Sequence, residues 1–165
     1  MKKFVSIFST LLLVISLLLP QIALANENNQ NDWQDVSLSK TEFENILSNN
    51  NENITTCSDD LIKKTAISVA KSGTTLIIAG ITTCSDSVVK CGFKTVTIQR
   101  RKNSSSTWND YKRYDDLYDD SYTYKLTKSI AVASGYQYRV TCTHYAKKNL
   151  FSTQKIDNVS NVVTI

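Results

Sequence analysis

Tyr136-Gln-Tyr-Arg-Val-Thr-Cys-Thr-His144 alternates without a break over nine residues, and Gly135 opens it. Tyr136, Tyr138, Val140 and Cys142 share one face, and Gln137, Arg139, Thr141 and Thr143 share the other. A side-chain period of two, carried by aromatic and β-branched residues, marks a half-buried strand. Large apolar residues opposite polar ones imply an antiparallel sheet with one wet face. The stretch is therefore predicted to be a central strand of a sandwich.

Upstream, short runs of the same kind are separated by turn-forming residues. Ile67 and Val69 mark a first strand ended by Ser72-Gly73. Thr74 to Thr83 makes a second, more fully buried one, in which Gly80 implies a bulge or a close backbone approach. Cys84 to Cys91 reads as a loop and Phe93 to Arg101 as a third strand, with Val96 and Ile98 inward. Asn103-Ser-Ser-Ser reads as a hairpin turn and Trp108 to Tyr114 as its returning partner. Asp115 to Asp120 reads as a further loop, Tyr122 to Val132 as a fifth strand, and Val159 to Ile165 as the strand that closes the domain. Short strands at regular spacing, with no long helical pattern between them, predict an all-β, seven-stranded antiparallel β-sandwich. Trp108 and Tyr136 are expected to be buried in it.

The run Ala131-Val-Ala-Ser-Gly135-Tyr136-Gln-Tyr138-Arg139-Val140-Thr-Cys142-Thr-His144 resembles the entry to the sixth strand of a fibronectin type III domain. There a glycine precedes a tyrosine-corner residue and an Arg-Val pair. The hairpin from Val96-Thr-Ile98-Gln-Arg-Arg101 to Trp108-Asn-Asp-Tyr111 is similar to that family's third strand and the next. The chain departs from the family in carrying cysteines and in lacking the early core tryptophan and the second-strand proline. More specifically, Gly73-Thr-Thr, Ala79-Gly80, Ile98-Gln-Arg100, Trp108 with Tyr111, Gly135-Tyr136 with Tyr138-Arg139-Val140, and His144 resemble a family of small secreted proteins of unknown function from Gram-positive bacteria. That resemblance covers about residues 65 to 165. It implies a bacterial, extracellular sandwich of the fibronectin type III or immunoglobulin-like kind, and it lends no catalytic residue.

The compartment follows from the other end of the chain. Met1-Lys2-Lys3, an apolar run from Phe4 to Leu19, Pro20 and Ala23-Leu-Ala25 have the three regions of a secretory signal peptide, predicted over 1–25. No second run in the mature chain approaches the ~20 apolar residues of a spanning helix. The cysteines, Cys57, Cys84, Cys91 and Cys142, all lie in the mature part. An even count in an oxidising medium predicts two disulfides clustered at one pole, with the connectivity left open. A zinc site fits poorly, because there is no Cys-x-x-Cys and His144 is the only histidine.

Charge divides the mature chain into an arm and a body. Residues 26–60 hold eight acids against Lys40, so 1 − 8 = −7; residues 61–165 hold sixteen Lys and Arg against seven Asp, so 16 − 7 = +9. The arm is Asn-rich and poor in apolar residues, the composition of a mostly disordered segment. It has one exception: a capping box (Ser39 with Glu42, or Thr41 with Glu44) followed by Phe43, Ile46 and Leu47, which predicts a short helix over 40–48. The arm is expected to lie against the body and compete with external polyanions.

Candidate sites are few. Arg100, Arg101, Lys102, Lys125, Arg139, Lys147 and Lys148 are the candidate polyanion-binding residues, and a surface of one sign attracts cell-wall polyanions or surface glycans. No stacking pattern of a nucleic-acid module can be assigned. Asp115, Asp116, Asp119 and Asp120 could offer carboxylate oxygens to calcium, but without the EF-hand spacing or its glycine. His144 is the one imidazole available for acid–base work. No serine lies in a Gly-x-Ser-x-Gly elbow, and no cofactor is implied. The expectation is a non-catalytic binding module; the alternatives are an exported hydrolase using His144 and a structural, self-associating surface protein.

Overall fold

Two antiparallel sheets face each other across one core in the computed structural model, which describes residues 32–48, 55–56 and 60–165. The predicted signal peptide and Cys57 lie outside the described residues. In chain order the elements are β1 (Gln34–Asp35), α1 (Lys40–Ser48), β2 (Thr55–Thr56), β3 (Ile62–Ser72), β4 (Thr75–Cys84), β5 (Lys90–Arg101), β6 (Asn109–Asp119), β7 (Thr123–Ala131), β8 (Gln137–Asn149), β9 (Ser152–Val159) and β10 (Val163–Thr164). The first sheet runs β1-β7-β4-β3-β2; the second runs β10-β8-β5-β6, with β9 also paired to β8. Among the described residues no helix is long and apolar enough to cross a membrane.

β8 carries the alternation of the opening stretch as far as Lys147. Tyr138, Val140, Cys142, His144 and Ala146 are buried while their neighbours are partly exposed. It is an inner strand, held by β5 on one side and by β9 and β10 on the other. Its apolar face meets Phe93, Val96 and Ile98 of β5, and across the gap Ile67 and Val69 of β3, Leu76 and Ile78 of β4, and Leu126 and Ile130 of β7. Tyr138 sits at the top of this core, and its hydroxyl donates to the Ala133 carbonyl at 2.8 Å, which ties the turn before β8 to the strand itself. Gly80 stays in register between Ile67 and Leu126, so no bulge forms there. A methyl group at Gly80 would stand 2.8 Å from Ile67 Cδ1 and 2.9 Å from Phe93 Cζ, so the glycine serves close approach.

Two segments differ from the sequence reading. Asp115 to Asp120 is not a loop: β6 runs on to Asp119, paired with β5 through Thr95–Asp115, Phe93–Leu117 and Cys91–Asp119. Asp116, between those pairs, has a positive φ of 59°, opposite the point where β5 shifts its register against β8. The closing strand is not 159–165: Ser152–Val159 pairs with β8 as a hairpin, and only Val163–Thr164 returns to it. β9 was hard to see because it is an edge strand whose Thr153, Lys155 and Asp157 face water. The open edge of β3 is closed by Asn161, whose side-chain amide accepts from Val69 N–H and donates to Val69 C=O, both at 2.9 Å. Filling an edge in this way removes a template for strand addition.

Residues 32–48 are docked rather than disordered. The Ser39–Glu42 capping box forms in both directions, at 2.9 and 3.2 Å, and starts α1. A helix this short is marginal alone, and packing is what holds it: Phe43 and Leu47 bury against Ala66 and Ala79, the small residues on the outer face of the first sheet. β1 pairs with β7, Trp33 stacks on Tyr114 at 3.7 Å, and two ion pairs, Asp32–Lys112 at 2.8 Å and Asp35–Lys128 at 2.7 Å, fasten the segment. The Lys112 ammonium holds the Asp32 carboxyl below its ordinary pKa, and Tyr114, which donates to the same carboxyl at 3.0 Å, is raised, mainly by burial.

Candidate anion-binding face

Each of the two central strands of the second sheet carries a Gln-x-Arg on its outer face, Gln99-Arg-Arg101 in β5 and Gln137-Tyr-Arg139 in β8. The antiparallel register sets Arg101 opposite Gln137 and Arg139 opposite Gln99, so each guanidinium faces an amide and the two arginines lie on a diagonal. Arg101 Nε donates to Gln137 Oε1 at 2.8 Å and Arg139 Nε to Gln99 Oε1 at 2.9 Å. Gln99 in turn donates to Asp110 at 2.8 Å. Both guanidiniums stand 4.4 Å from the centre of the Trp108 ring. Trp108 is therefore not a core residue; it lies half-buried with both cations against its ring, an arrangement favoured by the ring's quadrupole.

A second cation–aromatic group adjoins the first at the same end of the sheet. Arg100 lies 4.6 Å from the Tyr111 ring centre and 5.1 Å from that of Tyr136, and Lys102 lies 4.8 Å from Tyr136. Tyr136 is only partly buried, at the rim of the core. The turn between β5 and β6 is organised by Asn103, whose carboxamide oxygen accepts from Ser105 N–H and Ser106 O–H, and it presents Ser104 C=O to Arg101 Nη1 at 3.2 Å. Burial, and then the positive charge of Arg101, lower the pKa of Arg139. Like charges are thus pressed together on a preformed surface, with only Asp110 joined to the network.

The seven candidate basic residues do not form one patch. Arg100, Arg101, Lys102 and Arg139 gather here; Lys125 belongs to the first sheet, where its ammonium lies 5.5 Å from the ring of Phe43 of the docked helix. Lys147 and Lys148 sit at the far end of β8. The docked arm segment engages Lys112, Lys125 and Lys128, and none of its described contacts reaches Arg101, Trp108 or Arg139. The aspartates of β6 are likewise dispersed: Asp115 takes Arg113 at 3.0 Å, Asp116 takes Lys94, and Asp119 takes Ser121. Among the described residues no group of three or more His, Cys, Asp or Glu side chains could hold a metal.

His144 is not at a strand end. It lies inside β8 with no exposed surface, tilted against Phe93 at 4.6 Å. Thr82 donates its hydroxyl hydrogen to Gly92 C=O at 2.9 Å, so it can only accept from the imidazole at 2.7 Å, which places the ring proton on Nδ1. Nε2 is then an acceptor, facing the Cys142 thiol at 3.4 Å. Burial holds the His144 pKa down at about 3 and pushes the Cys142 thiol up, the opposite of the thiolate–imidazolium balance that activates a cysteine.

Of the cysteines, Cys84 and Cys91 are joined in a disulfide with Cα atoms 6.3 Å apart, closing the loop between β4 and β5. Cys142 is a free, buried thiol. It points into the main core rather than toward the pole where Cys84 and Cys91 pack with Ile62 and Ala146, so the expected cluster of four does not include it.

Comparison with known proteins finds no matching family model, no matching curated protein and no matching solved structure. Function therefore has to be argued from the geometry.

Proposed function

We propose that this chain is a secreted, non-catalytic binding module that holds an anionic polymer of the cell wall or extracellular space on the Arg101–Trp108–Arg139 face, flanked by Arg100 and Lys102. The carrying observation is the pair of guanidiniums 4.4 Å from one indole, each fixed at Nε by a glutamine. Arginines already ordered lose little further entropy on binding. Beyond Nε, and apart from the Arg101 Nη1 that donates to Ser104 C=O, the remaining guanidinium N–H groups suit phosphate or carboxylate. An anion arriving there relieves the crowding of Arg101 against Arg139. The alternative of a hydrolase through His144 has no supporting geometry, since that ring has no exposed surface.

The test is salt-dependent retention of the mature chain on immobilised wall teichoic acid and on polyphosphate. Arg101→Gln, Arg139→Gln and Trp108→Ala should each weaken retention by about three- to tenfold, as losing one charge-assisted contact of ~1 kcal/mol would. Equal retention by parent and variants refutes the assignment of this face.

A further inference from the structure

We infer that the tip of the β8–β9 hairpin is a docking element for an anionic lipid bilayer. Leu150 and Phe151, side by side at the turn, are 81% and 98% exposed, and Val89 in the adjoining loop is 50% exposed. Turns ordinarily take small polar residues, and an adjacent Leu and Phe held out from the body have no role in its core. Two hydrogen bonds tie the tip together. Asn149 accepts from Phe151 N–H at 2.9 Å across the turn, and Val89 N–H donates to Lys147 C=O at 2.7 Å, binding the loop to the hairpin. The apolar residues are thus presented together.

Charge complementarity selects the occupant. Residues 147–152 hold Lys147 and Lys148 and no Asp or Glu, and Lys90 stands opposite Lys147 in the register. Among the described residues neither Lys147 nor Lys148 is in an ion pair. Asp86 offsets one lysine from the loop that carries Val89. Asp119 and the adjoining Asp120 lie across β5 from β8, two strand spacings or ~10 Å from it, so they offset Lys90 first and leave Lys147 and Lys148. An apolar wedge flanked by Lys147 and Lys148 fits a surface that is greasy below and negative above: the side chains enter the acyl boundary while the lysines remain among the headgroups. Two residues are too small a patch for a stable protein interface, which needs roughly 1,000 Å² or more. The tip lies ten residues along β8 from Arg139, ~33 Å, so lipid and polymer would be held at opposite ends of the molecule.

The experiment is co-sedimentation of the mature chain with vesicles of phosphatidylcholine alone and of phosphatidylcholine with about a third phosphatidylglycerol, at low and physiological salt. Binding is expected to the anionic vesicles only. It should fall by at least about tenfold in Leu150→Ser/Phe151→Ser, as loss of two partly inserted apolar side chains requires. It should fall several-fold in Lys147→Gln/Lys148→Gln and on adding salt. Arg101→Gln/Arg139→Gln should bind vesicles like the parent, which separates this test from that of the polymer face. The tip substitutions are at exposed positions and leave the core intact. Failure to bind anionic vesicles, equal binding by the tip variant, or equal binding to neutral vesicles overturns the inference. So does a self-association of the parent that the tip variant abolishes.

Discussion

Lowering the pH from 7 to 5 should destabilise this protein by about 2 kcal/mol through His144 alone. The ring is buried, neutral, and committed at both nitrogens: Nδ1–H donates to Thr82, and Nε2 accepts from Cys142. Burial lowers its pKa from 6.5 to about 3. In the unfolded chain the imidazole binds a proton below ~6.5, whereas in the fold it stays neutral until ~3. The stability from the neutral ring is therefore complete above ~6.5 and is lost as pH falls toward the folded value. The slope is ~1.4 kcal/mol per unit and the total ~4 to 5 kcal/mol. Carboxylates titrate mainly below ~5, so the interval from 6.5 to 5 isolates the histidine: about 1.5 units, or ~2 kcal/mol. Urea denaturation followed by circular dichroism at pH 7, 6 and 5 measures it. His144→Leu should be less stable at pH 7, having removed a donor to Thr82, but nearly flat over the same interval. A parent that is flat between pH 7 and 5, or a variant that keeps the slope, would refute the neutral, network-bound ring.

Tyr138→Phe should cost ~1 to 2 kcal/mol, since it removes the hydrogen bond to Ala133 and leaves the ring in place; urea midpoints report it, and no change would mean the corner is not held by that bond. Gly80→Ala should lower the melting temperature, because Ile67 Cδ1 and Phe93 Cζ stand 2.8 and 2.9 Å from the new methyl; overpacking of a core typically costs ~1 to 3 kcal/mol, and an unchanged melting temperature would show that the core yields freely. Cys142, buried and with its thiol raised, should resist alkylation at pH 8 in the native protein and label fully in denaturant; mass mapping of native-state label on Cys142 would contradict its place in the core.

Alternation and punctuation determined most of the fold class, because a period of two reports which side of a sheet is buried whatever the partner strand is. That is why the stretch around Tyr138 and Val140, the close approach at Gly80 and the helix begun by Ser39 were legible from local residues. Edges and ends were not. Strand β9 and the last half of β6 carry polar residues on positions that face water, so they look like loops until β8 and β5 supply their hydrogen bonds. The candidate face shows the same division. Its arginines were visible as charge, and two Gln-x-Arg repeats were there to be noticed, but only the antiparallel register places Gln137 opposite Arg101 and Gln99 opposite Arg139, with both guanidiniums against Trp108. Only the tertiary structure separates Lys125, Lys147 and Lys148 from that group, moves Trp108 out of the core, and joins the buried His144 to Thr82 and Cys142. Charge and polarity are properties of residues, whereas burial and proximity are set by which strands pair and in what register, and that pairing joins positions that are distant along the chain.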